Sequence, residues 1–312
     1  MTGGNRAWAP EVAGTAARGT AIGASAVLMW SLLAPLTAAA NGIPPFQLLS
    51  MTFATAFVVS MMWLIAASGL RQVWSMMRQP LGAWLLSIGG LFGYHALYFV
   101  ALDRAPPAEA SLIAYLWPLL IVLLSSLLGK QPLHPAQVVG AVFGFVGTAI
   151  LVLQGTTSSS RDPLGYLAAF GCAVVWSGYS VLNRRYRHVP SSAIAVVCGV
   201  VAVMGGLTHA LFEAGTVMPD SSQWLAIISL GIGPVGLAFL AWDYGTKRGH
   251  LALLGVLSYG APVLSTLLLV ALGQAEASLG LFTACVLVVA GALLASLPQR
   301  SRAMTTQVAE RT

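Results

Sequence analysis

Charged residues are scarce in this sequence. Of 312 residues, 15 are Lys or Arg and 9 are Asp or Glu, so that 8% of the chain is charged, whereas soluble domains carry about 25%. Apolar residues make up 57% of the chain. So few polar side chains could not cover the surface of a soluble protein of this length. The composition therefore excludes an ordinary soluble enzyme and a disordered chain, and it predicts an integral membrane protein.

Catalytic and metal-binding patterns are also missing. The three cysteines, Cys172, Cys198 and Cys285, lie in apolar runs without a C-x-x-C motif, so neither a disulfide framework nor a zinc site is indicated. No His-Glu-x-x-His motif, nucleophile elbow with a suitable base or Walker motif occurs. We therefore expect no catalytic residues, metal or cofactor, and no direct use of ATP.

Apolar runs of the length needed to cross a bilayer occur ten times, since a spanning helix takes about 20 residues. The sequence thus predicts an all-α membrane protein. The predicted spans 1 to 10 are 19–40, 45–67, 81–101, 107–128, 135–153, 163–182, 191–213, 222–244, 249–271 and 276–296. Span 1 ends in three alanines, as signal peptides do, but it exceeds the apolar run of about 7–15 residues found in signal peptides. We expect it to remain as a span.

The distribution of Lys and Arg predicts the orientation, because these residues accumulate in cytoplasmic loops. With the N-terminus in the cytoplasm, ten alternating spans place 13 of the 15 cations inside and two, Arg104 and Arg161, outside. Both termini are therefore expected in the cytoplasm, and the basic charge marks topology. Because the cations are spread over these loops, no nucleic-acid partner is indicated.

The two halves of the chain resemble each other. A shift of 144 residues aligns 109–129 with 253–273, where seven of 21 positions match, including Tyr115 with Tyr259 and Pro118 with Pro262. Trp30-Ser31 recurs as Trp176-Ser177. Because five spans per half is an odd number, the second half would be inverted, as in many secondary transporters. Chance similarity between apolar helices is the alternative.

These features divide the chain into two repeats with short flanking segments. We expect a cytoplasmic tail at 1–18, a first five-helix repeat at 19–153, an external linker at 154–162, a second repeat at 163–298 and a cytoplasmic tail at 299–312.

Aromatic residues near the middle of the spans are the candidate substrate-binding residues. Tyr and Trp normally gather at the membrane interfaces, where Trp63, Trp84, Trp224, Trp242 and Tyr244 are expected. A central phenol or indole needs a polar partner or a wet cavity. The central candidates are Trp30, Tyr94, His95, Tyr98, Tyr115, Trp117, Trp176, Tyr179 and Tyr259. They predict an aromatic-lined cavity for an amphipathic solute, and aromatic packing between helices is the alternative.

Two prolines and one histidine have further candidate roles. Pro118 and Pro262, at repeat-related places, are candidate hinges, or else static kinks. His95 could carry a proton, or it could be neutral and bonded to a hydroxyl or carbonyl. No acidic residue is expected at the centre of a span, and Asp243 is placed at the inner end of span 8. The sequence therefore favours an uncoupled facilitator.

The repeated Trp-Ser pair and the proline-bearing fourth and ninth spans resemble the EamA-type branch of the drug/metabolite transporter superfamily. Within it, the aromatic amino-acid exporters are similar in two motifs, Gly93-Tyr94-His95-Ala96-Leu97-Tyr98 and Tyr115-Leu116-Trp117-Pro118. The resemblance implies a secondary transporter that exports amino acids, aromatic ones preferred, across the plasma membrane, the inner membrane of a bacterium. It implies alternating access through a cavity between spans 1, 3, 4, 6, 8 and 9.

Two other functions stay open at this point. A carrier of the same superfamily could export another small metabolite or an amphipathic drug, and a non-transporting membrane scaffold belongs to a different class. The expected partners are a small-molecule substrate and the lipid bilayer, and the sequence leaves the oligomeric state open.

Overall fold

The computed structural model describes residues 8–129, 134–153, 162–273 and 276–296, and every regular segment within these ranges is helical. The α-helices are α1 (Trp8–Trp30), α2 (Leu33–Ala39), α3 (Pro45–Met76), α4 (Leu81–Arg104), α5 (Pro107–Ala114), α6 (Trp117–Gly129), α7 (Pro135–Leu153), α8 (Pro163–Leu182), α9 (Ile194–Phe212), α10 (Ser221–Leu230), α11 (Ala238–Arg248), α12 (Leu251–Leu257), α13 (Gly260–Ala271) and α14 (Leu279–Ser296). Two 3₁₀ turns, Asn183–Tyr186 and Ser191–Ala193, lie between α8 and α9, and a π-helical segment, Gly231–Leu237, joins α10 to α11.

Nine stretches of the described residues are long and apolar enough to cross a membrane. They are Gly14–Ala39, Pro45–Arg71, Leu81–Arg104, Glu109–Leu128, Pro163–Tyr186, Ser191–Phe212, Ser221–Arg248, Leu251–Ala271 and Leu279–Ser296. Each overlaps one predicted span. Predicted span 5 coincides with α7, whose apolar part, Pro135–Ile150, is shorter. The all-helical membrane class is thus confirmed, and the number ten stays a prediction.

The predicted flanking segments are only partly visible. The C-terminal tail, 299–312, and nearly all of the linker, 154–162, lie outside the described residues, as do residues 1–7 of the N-terminal tail. Helical structure begins at Trp8, ahead of predicted span 1.

Three predicted spans are interrupted near their middle, and each interruption precedes a proline. The interruptions lie at 31–32, 115–116 and 258–259, and the prolines are Pro35, Pro118 and Pro262. Proline has no N–H for the carbonyl four residues earlier, and its ring clashes with that carbonyl. The helix therefore loses its regular geometry in the turn before the proline. Span 8 responds differently to Pro234, which is accommodated in the π-helical segment without an interruption.

The helices pair in a regular order. Extensive contacts join α3 to α9, α7 to α14, α1 to α11, α4 to α8 and α6 to α8, and α6 also contacts α12. In terms of predicted spans these are 2 with 7, 5 with 10, 1 with 8, 3 with 6, 4 with 6 and 4 with 9. When each span is replaced by its counterpart in the other half, the same pairs return, except that the counterpart of 4 with 6 is a smaller contact of α1 with α12 and α13.

Glycines bring α7 into close contact with two neighbours. A Cβ atom on Gly140 would lie 2.5 Å from the carbonyl oxygen of Gly291 in α14, and one on Gly144 would clash with the ring of Tyr259. The Gly-x-x-x-Gly pattern of α7 therefore serves packing inside the chain.

Acidic residues cap two helices of the second half. The Asp162 side chain accepts a hydrogen bond from the Leu164 amide at 2.9 Å, at the start of α8. Asp220 accepts from the Gln223 amide at 2.8 Å, and the Gln223 side chain accepts from the Asp220 amide, which completes a capping box for α10. Hydrogen bonds from the Ser222 hydroxyl and the Gln223 amide hold the pKa of Asp220 below its usual value.

Candidate functional site

The centre of the molecule is a set of aromatic rings supplied by both halves of the chain. Four tryptophans form its core, and each of their six pairs has ring centroids between 5.1 and 6.3 Å apart. They are Trp30 from α1, Trp117 from α6, Trp176 from α8 and Trp242 from α11. We call these four residues the tryptophan centre. Such edge-to-face and stacked pairs are favourable arrangements of aromatic rings.

The burial of Trp242 corrects one expectation. Its position near the end of predicted span 8 indicated an interfacial residue, but its side chain is 0% exposed and its indole N–H donates to the Ser180 hydroxyl at 3.1 Å. The reason is that α11 lies against α1 and contacts α8, so this end of span 8 is enclosed by protein. Trp63, assigned to the same belt, is 66% exposed.

The π-helical segment orients Trp30. The indole N–H of Trp30 donates to the carbonyl oxygen of Pro234 at 3.0 Å. Trp30 ends α1, immediately before the interruption at 31–32. A buried indole needs such a partner, and the segment that holds Pro234 supplies it across the boundary between the halves.

One face of α4 extends the aromatic surface away from the tryptophan centre. The Tyr94 ring lies 5.4 Å from that of Trp176 and 6.0 Å from that of Tyr98, with which it stacks. The Tyr98 and Ser111 hydroxyls are 2.9 Å apart. These tyrosines and His95 are half-buried. The grouping of these three residues on one helix face agrees with their spacing in the sequence.

His95 is bonded to its own helix. Its Nδ1 lies 2.7 Å from the carbonyl oxygen of Leu91, and because a carbonyl only accepts, Nδ1 carries the hydrogen. The ring meets Phe53 edge-on at 5.3 Å and Phe239 at 6.1 Å. In this tautomer Nε2 is left as an acceptor for a ligand that donates.

The interruption in span 4 separates the roles of two predicted residues. Trp117, the first residue of α6, is 6% exposed and lies in the tryptophan centre. Tyr115 is half-buried on the other side of the turn, and its hydroxyl interacts electrostatically with that of Tyr98. In an uninterrupted helix these two side chains would point in nearly opposite directions.

Tyr179 and Tyr259 lie outside the tryptophan centre and contact different parts of the protein. Tyr179 touches Trp176, with ring centroids 5.3 Å apart, and its hydroxyl lies 3.4 Å from the carboxylate of Asp243. Tyr259 is fully buried in a separate apolar cluster against α7. Its hydroxyl accepts a hydrogen bond from the Leu119 amide at 3.2 Å. The structure therefore brings Tyr259 to the first turn of α6 and not to the other predicted residues.

Replacing Tyr259 by phenylalanine should lower stability by about 1 kcal/mol, because the Leu119 amide loses an acceptor at a helix start. Thermal unfolding of the purified protein in detergent would measure it. Tyr244→Phe is a matched control, since it keeps the ring that lies 4.5 Å below the Arg248 guanidinium. An equal loss in both variants would contradict the capping role.

A buried charged network, which the sequence reasoning missed, adjoins the tryptophan centre. Asp243 is 1% and Lys247 4% exposed, and the Lys247 ammonium lies 2.8 Å from the Asp243 carboxylate. The Asn183 side chain donates to Asp243 at 2.9 Å, and Lys247 also donates to the Val189 carbonyl at 3.1 Å. The sequence analysis placed Asp243 at the end of span 8, but it did not predict that this carboxylate is buried. The available signal was an acid and a base four residues apart within an apolar span.

Comparison with known proteins gives the family. The model of the EamA-like transporter family matches residues 17–153 and 163–297. The chain belongs to this family. It is therefore a membrane transporter of the drug/metabolite transporter superfamily, as the repeated Trp-Ser pair and the proline-bearing fourth and ninth spans predicted.

Several relatives in the EamA-like family have assigned names. The aromatic amino acid exporter YddG of Ancylobacter novellus is 51% identical over 285 residues, which cover 90% of this chain and 98% of that protein. The exporter of the same name from Salmonella typhimurium is 26% identical over 304 residues, covering 92% of this chain and all of the relative. A crystal structure that is 49% identical, and covers 90% of this chain and 96% of its own, superposes with a TM-score of 0.85.

Proposed function

We propose that this EamA-like transporter exports amino acids, with aromatic ones preferred, across the plasma membrane by alternating access. The observation that carries the proposal is the tryptophan centre, where helices of both halves meet. Aromatic faces bind the ring of an aromatic amino acid by stacking and its ammonium by cation–π attraction. The names of the relatives from Ancylobacter novellus and Salmonella typhimurium support the same substrate class.

The proposed architecture is ten spans in two inverted halves, 19–153 and 163–298, with both termini in the cytoplasm. The order of helix pairs supports it, since it is largely unchanged when the halves are exchanged. The interruptions at Tyr115 and Tyr259 support it as well, because these residues are 144 positions apart, which is the shift that aligns the two halves. In this architecture Pro118 and Pro262 are the hinges of the two interrupted spans.

We also propose that the substrate site of this conformation is accessible from the outside. Tyr94, His95, Tyr98 and Tyr115 are half-buried and lie from the middle of the membrane outward in the proposed orientation. In contrast, Trp117, Trp176 and Trp242 and the Asp243–Lys247 pair, which lies toward the cytoplasmic end in the proposed orientation, are nearly fully buried. A gradient of burial of this kind is expected when one end of a carrier is sealed and the other is accessible.

The deciding experiment is counterflow of labelled phenylalanine into proteoliposomes that are preloaded with unlabelled phenylalanine. We expect labelled substrate to accumulate transiently, and an excess of external tryptophan or tyrosine to suppress the accumulation. Empty liposomes give the background. Absence of counterflow by folded, correctly inserted protein would contradict amino-acid transport.

We further propose that transport is not coupled to protons. The only nearly fully buried carboxylate among the described residues is that of Asp243, and it is already paired with Lys247 and hydrogen-bonded by Asn183 and Tyr179. Collapsing an imposed pH gradient with a proton ionophore should leave the rate of phenylalanine uptake unchanged. A rate that falls with the gradient would instead point to a proton-carrying group.

A further inference from the structure

The proposed aromatic site has no acidic or basic side chain that would form an ion pair with either charge of an amino acid. A free amino acid carries an ammonium and a carboxylate, and removing either from water without a partner is costly. The tryptophan centre and the α4 face supply rings, hydroxyls and one histidine. An acid and a base elsewhere along the substrate path would supply a partner for each charge.

Asp243 and Lys247 form a pair with both properties. Among ion pairs of described residues, theirs is the one in which both side chains are nearly fully buried, at 1% and 3% exposure. Exposed alternatives such as Arg104 with Asp162 lie in loops, at 47% and 36% exposure. An intramembrane ion pair contributes little net stability, since desolvation offsets its attraction. Such residues mark substrate pathways more often than scaffolding.

The Asp243–Lys247 pair lies beside the tryptophan centre and borders a small pocket. The Tyr179 hydroxyl connects the Asp243 carboxylate to the ring that packs on Trp176. Trp84 and Ser87 from α4 line the pocket together with both charged residues. Two of the three ammonium hydrogens of Lys247 are taken up by the Val189 carbonyl and Asp243, so that one donor is left for a ligand.

We propose that Asp243 and Lys247 form a subsite that binds both charged groups of an amino acid when the substrate first enters the carrier. The Asp243 carboxylate receives the substrate ammonium and the Lys247 ammonium receives the substrate carboxylate, so the substrate replaces the bond between the two side chains. The substrate ring then faces Trp84 or the tryptophan centre. This inference rests on the proposed amino-acid transport. It adds that both charges of the substrate are recognised, and that Asp243 and Lys247 recognise them.

The subsite occurs in one half only. The shift of 144 residues places Phe99 at the position of Asp243 and Asp103 at that of Lys247. Phe99 packs against Phe46, with ring centroids 5.1 Å apart, and Asp103 is exposed. The charged pair is therefore not a feature of the repeated scaffold. In the proposed orientation it lies at the cytoplasmic end, where an exporter loads its substrate.

Competition experiments on the unaltered protein test the charge requirement. Counterflow of labelled phenylalanine is measured with unlabelled phenylalanine, phenethylamine or 3-phenylpropionate as competitor, the last two lacking the carboxylate and the ammonium respectively. We expect each analogue to compete at least about tenfold more weakly than phenylalanine, since each loses a charged hydrogen bond. Equal competition by the three compounds would overturn the inference while leaving phenylalanine transport intact.

Single substitutions then assign each charge to its side chain. In Asp243→Asn, the preference for phenylalanine over 3-phenylpropionate should shrink about tenfold, and the preference over phenethylamine should remain. In Lys247→Gln the two outcomes should be exchanged. Asp162→Asn, which removes a charge from the exposed pair with Arg104, is the matched control and should leave both preferences unchanged.

The alternative is that the pair only fastens α11 to α8 and to the turn at Val189. In that case variants that still transport phenylalanine would keep the original order of competitors, and this result would overturn the inference. If a variant does not fold, the competition order of the unaltered protein still decides. Absence of phenylalanine counterflow by the unaltered protein would instead reject the proposed function.

Discussion

Replacing Trp117 by alanine should reduce phenylalanine counterflow by at least about tenfold, which corresponds to 1.4 kcal/mol. Trp117 is the one member of the tryptophan centre that begins a helix at a proline-associated interruption, and it contacts Trp30, Trp176 and Trp242. Removing the indole takes away one aromatic face for the substrate and leaves a void between the other three rings. Stacking on one ring is worth about 0.5–1.5 kcal/mol beyond the area it buries, so the combined loss exceeds a factor of ten.

Controls must separate lost binding from lost folding, because a buried Trp→Ala substitution costs about 3–5 kcal/mol. Trp117→Phe keeps an aromatic face and should transport at an intermediate rate. Trp63→Ala makes the same substitution at a side chain that is 66% exposed, and should transport like the unaltered protein. Full counterflow by a monodisperse Trp117→Ala protein would show that Trp117 does not contribute to the substrate site.

The depth of a residue along a span could be predicted from the sequence, and its neighbours across the helix interface could not. Trp30 and Trp176 lie at the middle of their spans, and the structure brings them together with Trp117. Trp242 was assigned to the interface because it lies near the end of its span, yet α1 and α8 enclose it. Whether a terminal turn meets lipid or protein depends on tertiary packing, which hydropathy does not contain.

The sequence repeat predicted the positions of the helix interruptions, but it did not predict the contacts of the residues at these interruptions. Pro118 and Pro262 are equivalent in sequence, and both follow an interruption. Tyr115 and Tyr259 are equivalent too, but Tyr115 stays near Tyr98, whereas Tyr259 bonds to the start of α6 in the other half. The interruption of the backbone depends on the local effect of proline, which is the same in both halves. The contacts of the side chains depend on the neighbouring helices, which differ between the halves.

Asp243 shows a related limit of sequence reasoning. Its spacing from Lys247 was visible, but a pair near the end of a span is equally compatible with an exposed cytoplasmic turn. What buries the pair is the 3₁₀ turn at Asn183–Tyr186 and the following residues up to Val189, which fold over it and bond to both charges. Loop conformation of this kind has no periodic signal in the sequence.

Replacing Gly140 by alanine should destabilise the protein by about 1–3 kcal/mol, the usual cost of overpacking a well-packed contact. A Cβ atom there would lie 2.5 Å from the Gly291 carbonyl oxygen and 3.3 Å from the Ala295 side chain. The neighbour at the shorter distance is backbone, so relief requires α7 and α14 to separate. In a bilayer such close packing is a main source of helix association, and the apolar part of α7 is short for a span.

Thermal unfolding in detergent, followed by circular dichroism, would measure this loss. Gly89→Ala is the matched control, because a Cβ atom on Gly89 in α4 would meet nothing within 4 Å. That substitution should be neutral or stabilising by up to about 1 kcal/mol, since alanine favours the helix. Gly291→Ala should behave like Gly140→Ala, because the two glycines face each other at the same contact. Equal stability of the Gly140 and Gly89 variants would mean that α7 and α14 can move apart at no cost.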